Sequence, residues 1–264
     1  MVPTRASTPH VPLQPAEIAA EVARASEVGV TMVHLHARDE QGAPTWRREV
    51  YADIISRIRE HDAEIVINVS TSGRNWSDME RRSDVLFLEG DLKPDMASLT
   101  LSSLNFAGGP SVNSPDHVRE LARIMRDRGI VPELEIFDLG MLNFMGVLRR
   151  EGLLTGVAPV NLFFGNIAGM QPTLSEMGLA VSLLPEGALW NATGLGSFQQ
   201  ISQVLAIHAG GGVRVGLEDG IWRGRSKAEL VTNTDLIQQV HDILLLAERS
   251  FMAPADYRAA VLAV

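Results

Sequence analysis

Two histidines, His34 and His36, stand at alternate positions in the apolar run "MVHLHARD". Alternate residues of a β-strand face one side, so both imidazoles point one way and Val33 and Leu35 the other. An HxH pair late in a strand suits two ligands of a zinc ion. Two hydrogen-bonded interior histidines would leave the same pattern. A second stretch, "GVRVGLEDG", puts Arg214, Gly216 and Glu218 on one strand face. Glu218 has the donor type of a third metal ligand, with a coordination position left open for substrate. Asp219 begins the next loop and is a candidate base held by Arg214. A structural Arg–Glu ion pair is the competing explanation.

A third cluster lies in "PELEIFD". Glu133 and Glu135 alternate onto one face. Glu135 is nearer the strand end and is the candidate for acid–base work or for a hydrogen bond to a ligand histidine. Glu133, deeper, reads as structural. Ser70 and Ser72 in "INVSTSG", and Ser98, Thr100 and Ser102 in "ASLTLSSLNF", are hydroxyls able to bind a substrate carboxylate without added charge. Small polar residues filling an interior explain them as readily. His10, His61, His117, His208 and His241 fall in loops or helices and read as surface or capping residues, with His10 the least securely dismissed.

These residues need a scaffold that gathers strand ends. Apolar β-rich runs at 31–38, 64–71, 96–106, 131–138, 159–165, 188–196 and 212–219 alternate with amphipathic stretches. The repeat is that of βα units, and alternation along the whole chain favours a (β/α)8 TIM barrel over a doubly wound sheet. Neither a GxGxxG nor a Walker A motif is present. Residues 15–28 read as the first helix. The three prolines of the first 13 residues argue against a strand there, so seven strands are expected and the first barrel strand is apparently absent. No linker interrupts the chain, and 1–264 reads as one domain. Helix signals include Ser114-Pro115-Asp116, the capping-box spacing of Thr173 and Glu176, and Gly129 as a stop.

Composition narrows the classes. A net charge of −9 without a basic patch disfavours nucleic acid. The lack of cysteine leaves only His, Asp and Glu to hold a metal. No run spans a bilayer and no signal peptide is evident, so cytoplasmic residence is expected.

Seven stretches together resemble the β-keto acid cleavage enzymes: "TPHVPLQPAEI", "VHLHARD", "VSTSGR", "KPDMASLTLSSLNF", "VNSPD", "PELEIFDLGM" and "VRVGLEDG". The resemblance implies a Zn2+-dependent TIM barrel, usually a homotetramer, acting as a transferase. Such enzymes combine a β-keto acid with acetyl-CoA to give acetoacetate and a new acyl-CoA. His34, His36 and Glu218 match the metal ligands, and Asp219 and Arg214 the acid–base pair. Glu135 matches a further active-site acid. A hydroxyl of 70–72, Ser72 before Thr71, matches the substrate-carboxylate contact. Thr100, from the strand-face hydroxyls above, is a further candidate substrate contact.

Some family members carry an early glutamate for a cationic substrate. The corresponding residues here, "MVPT" at 1–4, contain no acid. An uncharged or anionic β-keto acid is therefore expected, with Arg74 and Arg5 as candidates for an anionic tail or the CoA phosphates. An amidohydrolase-like zinc barrel is disfavoured, because the later strands lack histidines. A non-catalytic ligand-binding descendant would have lost a metal ligand or the acid–base pair.

Overall fold

The structure, a computed structural model, describes residues 3–262. In chain order the strands are β1 (Met32–Leu35), β2 (Val66–Val69), β3 (Met96–Thr100), β4 (Leu104–Phe106), β5 (Gly109–Ser111), β6 (Val131–Ile136), β7 (Val160–Phe164), β8 (Trp190–Gly194) and β9 (Gly212–Val213). The helices are α1 (Pro15–Glu27), α2 (Arg48–His61), α3 (Met79–Ser83), α4 (Pro115–Asp127), α5 (Leu139–Arg150), α6 (Leu174–Ser182), α7 (Gln199–His208), α8 (Asn233–Leu246) and α9 (Pro254–Val261). Seven strands form one curled parallel sheet in the order β1-β2-β3-β6-β7-β8-β9, and β4 and β5 make a separate antiparallel pair. This is the expected barrel-type βα architecture. Among the described residues no helix is long and apolar enough to cross a membrane.

Strand alternation sorts the side chains. Ile67, Val69, Ala97, Leu99, Leu134 and Ile136 face outward and join the main core beneath the helices. Helix α4 meets that core with Val118, Leu121, Ala122 and Met125, the i, i+3, i+4, i+7 stripe of an amphipathic helix. Its start is fixed as expected, with Pro115 in the first turn and the Ser114 hydroxyl accepting from His117 N. Gly129 follows it at φ +61°, a backbone that glycine takes without a Cβ clash.

The inner face is layered. Met32, Val66, Met96 and Val131 form an apolar floor closed from below by Tyr257 and Val261 of α9. Arg258 locks this helix in place through both carboxylate oxygens of Asp95 and the carbonyls of Glu64 and Ile65. Above the floor the register sets His34 beside Asn68, Ser98 beside Glu133 and Glu135 beside Asn161. The inner face therefore turns polar toward the C-terminal strand ends.

The sheet edges β1 and β9 do not pair with each other. Between them lies a cavity of 710 Å³, lined by Met32, His34, Trp190, Val213, Arg214 and Ile237 among others. An eighth strand of a closed barrel would stand there.

Two expectations need correction. The 96–106 run ends as a sheet strand at Thr100, and 104–106 instead pairs back on 109–111. The last strand stops at Val213, because residues 216–220 turn on themselves, with Asp219 N and Gly220 N both bonded to Gly216 O. Alternation along a strand thus does not place Arg214, Glu218 and Asp219. The glycines at 211 and 212 are required by close packing at this edge. A Cβ on Gly211 would lie 2.4 Å from the Trp190 ring, and one on Gly212 would lie 2.1 Å from Asn191 Oδ1.

Candidate metal and acid–base site

His34 projects from β1, and His36 follows just past the strand end. Their Nε2 atoms lie 3.2 Å apart, and Glu218 Oε1 lies 2.8 Å from His36 Nε2. One ligand atom from each of the three falls within 4.8 Å of the others. Two imidazole nitrogens bound tetrahedrally to zinc at ~2.0–2.1 Å would be about 3.3 Å apart. Two imidazoles and a carboxylate are also a donor set that zinc accepts.

The tautomer of His34 is set from below. Its Nδ1 lies 3.1 Å from Glu133 Oε2. An ionised carboxylate only accepts, so in this contact Nδ1 carries the proton and Nε2 presents its lone pair. The Asn68 amide and the Arg214 guanidinium, 3.0 and 3.4 Å from the same Nδ1, then direct their N–H groups to carboxylates instead. Glu133 is 1% exposed and also accepts from Asn68 Nδ2 at 2.5 Å and Asn161 Nδ2 at 3.3 Å. Burial opposes its charge, but the His34 hydrogen bond holds its carboxyl below the usual range. Burial pushes the His36 imidazole down to about 3, which keeps it neutral and able to ligate at physiological pH.

Arg214 ties the carboxylates together. Its Nε donates to Asp219 Oδ2 at 3.0 Å and its Nη2 to Glu218 Oε2 at 2.8 Å. Its Nη1 lies 3.6 Å from Glu135 Oε1 and 4.0 Å from Glu133 Oε2. Burial alone would lower its pKa, but the carboxylates, Asp219 foremost, raise it. One guanidinium facing four carboxylates leaves a local excess of negative charge that a divalent cation would offset. His34, Glu133 and Glu135 also come close enough to share an ion. There, however, Glu133 is engaged by His34 Nδ1 and Glu135 faces Arg214.

Asp219 and Glu135 share one electrostatic character. Burial raises both carboxyls above their ordinary values, while Arg214 pulls each back. Glu218 differs, since His36 and Arg214 overcome its burial and hold it well below the usual range. The site therefore combines a metal-type triad with carboxyls suited to exchanging protons.

A model of the beta-keto acid cleavage enzyme family matches residues 1–262. The chain belongs to that family. It is 31% identical over 259 residues to the 3-keto-5-aminohexanoate cleavage enzyme of Fusobacterium nucleatum, covering 97% of this chain and 92% of that one. It is 31% identical over 242 residues to the 3-oxoadipate:acetyl-CoA acetyltransferase of Cupriavidus necator, covering 90% and 83%. In structure it is similar to ObcA, with a TM-score of 0.86 at 20% identity over 95% of this chain and 65% of that one. The cleavage-enzyme family and the barrel-type fold both agree with the sequence expectations.

The remaining expected residues of this family member divide. His34, His36, Arg214, Glu218, Asp219 and Glu135 converge. The hydrogen bond to a ligand histidine comes from Glu133, not from Glu135. The Thr71 hydroxyl donates to Ser98 O at 2.6 Å, and that of Thr100 donates to Glu135 Oε2 at 2.5 Å. Both O–H groups are therefore engaged inside the protein. Ser72, half-buried beside His36, accepts from Arg74 N. Arg5 is exposed and bonded to Glu17 and Pro9 O. His10 is exposed. Of the "MVPT" segment, Met1 and Val2 lie outside the described residues.

Sequence reasoning missed Arg82, which is 4% exposed. Its Nε donates to Thr71 O at 3.0 Å and its Nη2 to Asn113 Oδ1 at 2.7 Å, while Nη1 reaches Val112 O at 3.5 Å. It joins the loop after β2 to the loop before α4, and Gly73 leaves room for its guanidinium. An Arg in a polar stretch, "MERRSD", carries no signal of burial.

Proposed function

We propose that the chain is a zinc-dependent transferase that condenses a β-keto acid with acetyl-CoA and releases acetoacetate and a new acyl-CoA. The observation that carries this reading is the convergence of His34, His36 and Glu218 beside the Asp219–Arg214 pair. When bound, zinc would supply Lewis acidity to the keto oxygen of the substrate. His34, His36 and Glu218 would hold it. Glu133 keeps His34 in the ligating tautomer.

Asp219 takes a proton from C2 of the β-keto acid, and Arg214 keeps that carboxyl ionised and aimed. The C2 carbanion bonds to the acetyl carbonyl carbon, and CoA thiolate departs. The thiolate then adds to the original keto carbon. Cleavage of the bond from that carbon to C2 releases the new thioester, and the proton held by Asp219 returns to C2 to give acetoacetate. Glu135, with its raised pKa, is a second proton carrier beside Arg214. Ser72 supplies a hydroxyl to the substrate carboxylate.

The tail of the β-keto acid is uncharged or anionic in this proposal. The cleft beside His36 contains Arg38, Arg74, Arg81 and Arg82 among its lining residues and no carboxylate, a field that disfavours a cation. The working unit is a single catalytic domain assembled as a homotetramer. Exposed Leu174, Leu179 and Leu183 on and after α6 support association between copies.

Chelator-treated protein reloaded with zinc tests the metal requirement. Acetoacetate formation that returns with zinc supports the proposal, and full activity in protein shown to be metal-free refutes it.

A further inference from the structure

We propose that the loop hairpin after β9 binds the phosphates of acetyl-CoA through Arg225 and Lys227. This rests on acetyl-CoA being the acyl donor. The hairpin springs from Asp219, the proposed base. Its arms are joined by Arg223 N to Glu229 O at 2.9 Å, Val231 N to Ile221 O at 3.1 Å and a Trp222–Leu230 bridge. Its tip reads "GRSK", residues 224–227, and is exposed at Arg225, Ser226 and Lys227.

Charge singles out this tip. Arg223 is paired with Glu229 and Asp235. Among the described residues Arg225 and Lys227 meet no carboxylate within 4.0 Å. The facing segment adds none, because residues 187–217, which hold β8 and α7, contain no Asp or Glu. In a chain of net charge −9, two unneutralised cations over an acid-free stretch form a local anion-attracting field.

Geometry points the same way. The Arg225 guanidinium stands 5.9 Å from the Phe198 ring centroid, which tethers the tip to the loop after β8. Lys227 has φ +52°, an uncommon backbone for a non-glycine residue and one enriched at ligand clamps. The loops after the last two strands are where barrels of this type commonly hold phosphate. Arg225 lies six residues beyond Asp219, a chain span of at most about 20 Å. That is the scale of the pantetheine arm separating the reacting thioester from the phosphates. Arg74 is less suited to this task, since its guanidinium stacks on Phe106 at 3.9 Å beside the Ser72 cleft, on the side assigned to the β-keto acid.

The test uses zinc-loaded full chain, wild type and the double variant Arg225→Gln/Lys227→Gln. Adenosine 3′,5′-bisphosphate is titrated by calorimetry at low and high salt. Acetyl-CoA is compared with acetyl-pantetheine, which lacks the nucleotide and its phosphates. Wild type should bind the bisphosphate in competition with acetyl-CoA and more weakly at high salt. The double variant should lose about tenfold or more of that affinity, and its kcat/KM preference for acetyl-CoA over acetyl-pantetheine should fall by a similar factor. Failure of the wild type to bind the bisphosphate, or equal binding by the variant, would overturn the site. If wild type transfers acetyl from neither donor, the acetyl-CoA reading itself fails, and the titration still decides whether the hairpin binds the nucleotide.

Discussion

Glu133 Oε2 lies 3.1 Å from His34 Nδ1 on the side of the ring opposite the proposed metal. The deepest carboxylate of the curled sheet thereby fixes which nitrogen of His34 is a ligand. Glu133→Gln would replace the acceptor by an amide whose orientation is no longer dictated. Zinc affinity should drop about 10–100-fold, read by competition with a chromophoric chelator on protein of native circular dichroism. Unchanged affinity would show that His34 is oriented by other contacts.

The acid limb of kcat/KM should follow Asp219. Burial raises its pKa, and Arg214 opposes that rise. The base must be ionised, so activity falls as pH drops through this raised value. Arg214→Lys loses the two-point contact, lets the pKa climb further and should move the acid limb to higher pH. A limb that stays in place assigns proton abstraction to another group.

His36 gives the metal-free protein a pH-dependent stability. Its folded pKa of about 3 lies below the ordinary imidazole value of 6.5. The unfolded chain therefore takes up this proton first. The stability is full above about 6.5 and is lost as pH falls toward 3, with a loss of about 2 kcal/mol by pH 5. Denaturant unfolding of chelated wild type and His36→Gln should show that extra loss in wild type alone. Parallel pH dependence in the two proteins would contradict it.

Arg82 should matter to loop geometry rather than to proton transfer. Arg82→Lys cannot serve acceptors on two loops at once and should cost about 1–3 kcal/mol of stability. KM for the β-keto acid should rise more than kcat falls, because the Ser72 loop loses its tether. Steady-state kinetics and denaturant unfolding read both effects, and a variant matching wild type in both would refute the role.

Much of this was legible beforehand because periodicity and residue type carry it. The HxH spacing placed His34 and His36, and strand recurrence placed seven strands of a barrel-type sheet. The rest depends on contacts remote in sequence. Strand parity grouped Arg214 with Glu218, yet a turn at Gly216 is what brings Asp219 back to Arg214. The relative depth of Glu133 and Glu135 followed from their order along the strand, but the histidine partner was assigned to Glu135, since only the stagger between strands sets which carboxylate meets His34. Hydroxyls such as Thr71 could be named but not assigned, because their partners lie on the neighbouring strand.

Acetyl-CoA labelled with 13C at both acetyl carbons gives the most direct test of the proposed transfer, using zinc-loaded protein and a panel of uncharged and anionic β-keto acids. The label should appear at C3 and C4 of acetoacetate, with an unlabelled new acyl-CoA formed in equal amount. Label in free acetate alone, or no acetoacetate with any substrate, would contradict the proposed reaction.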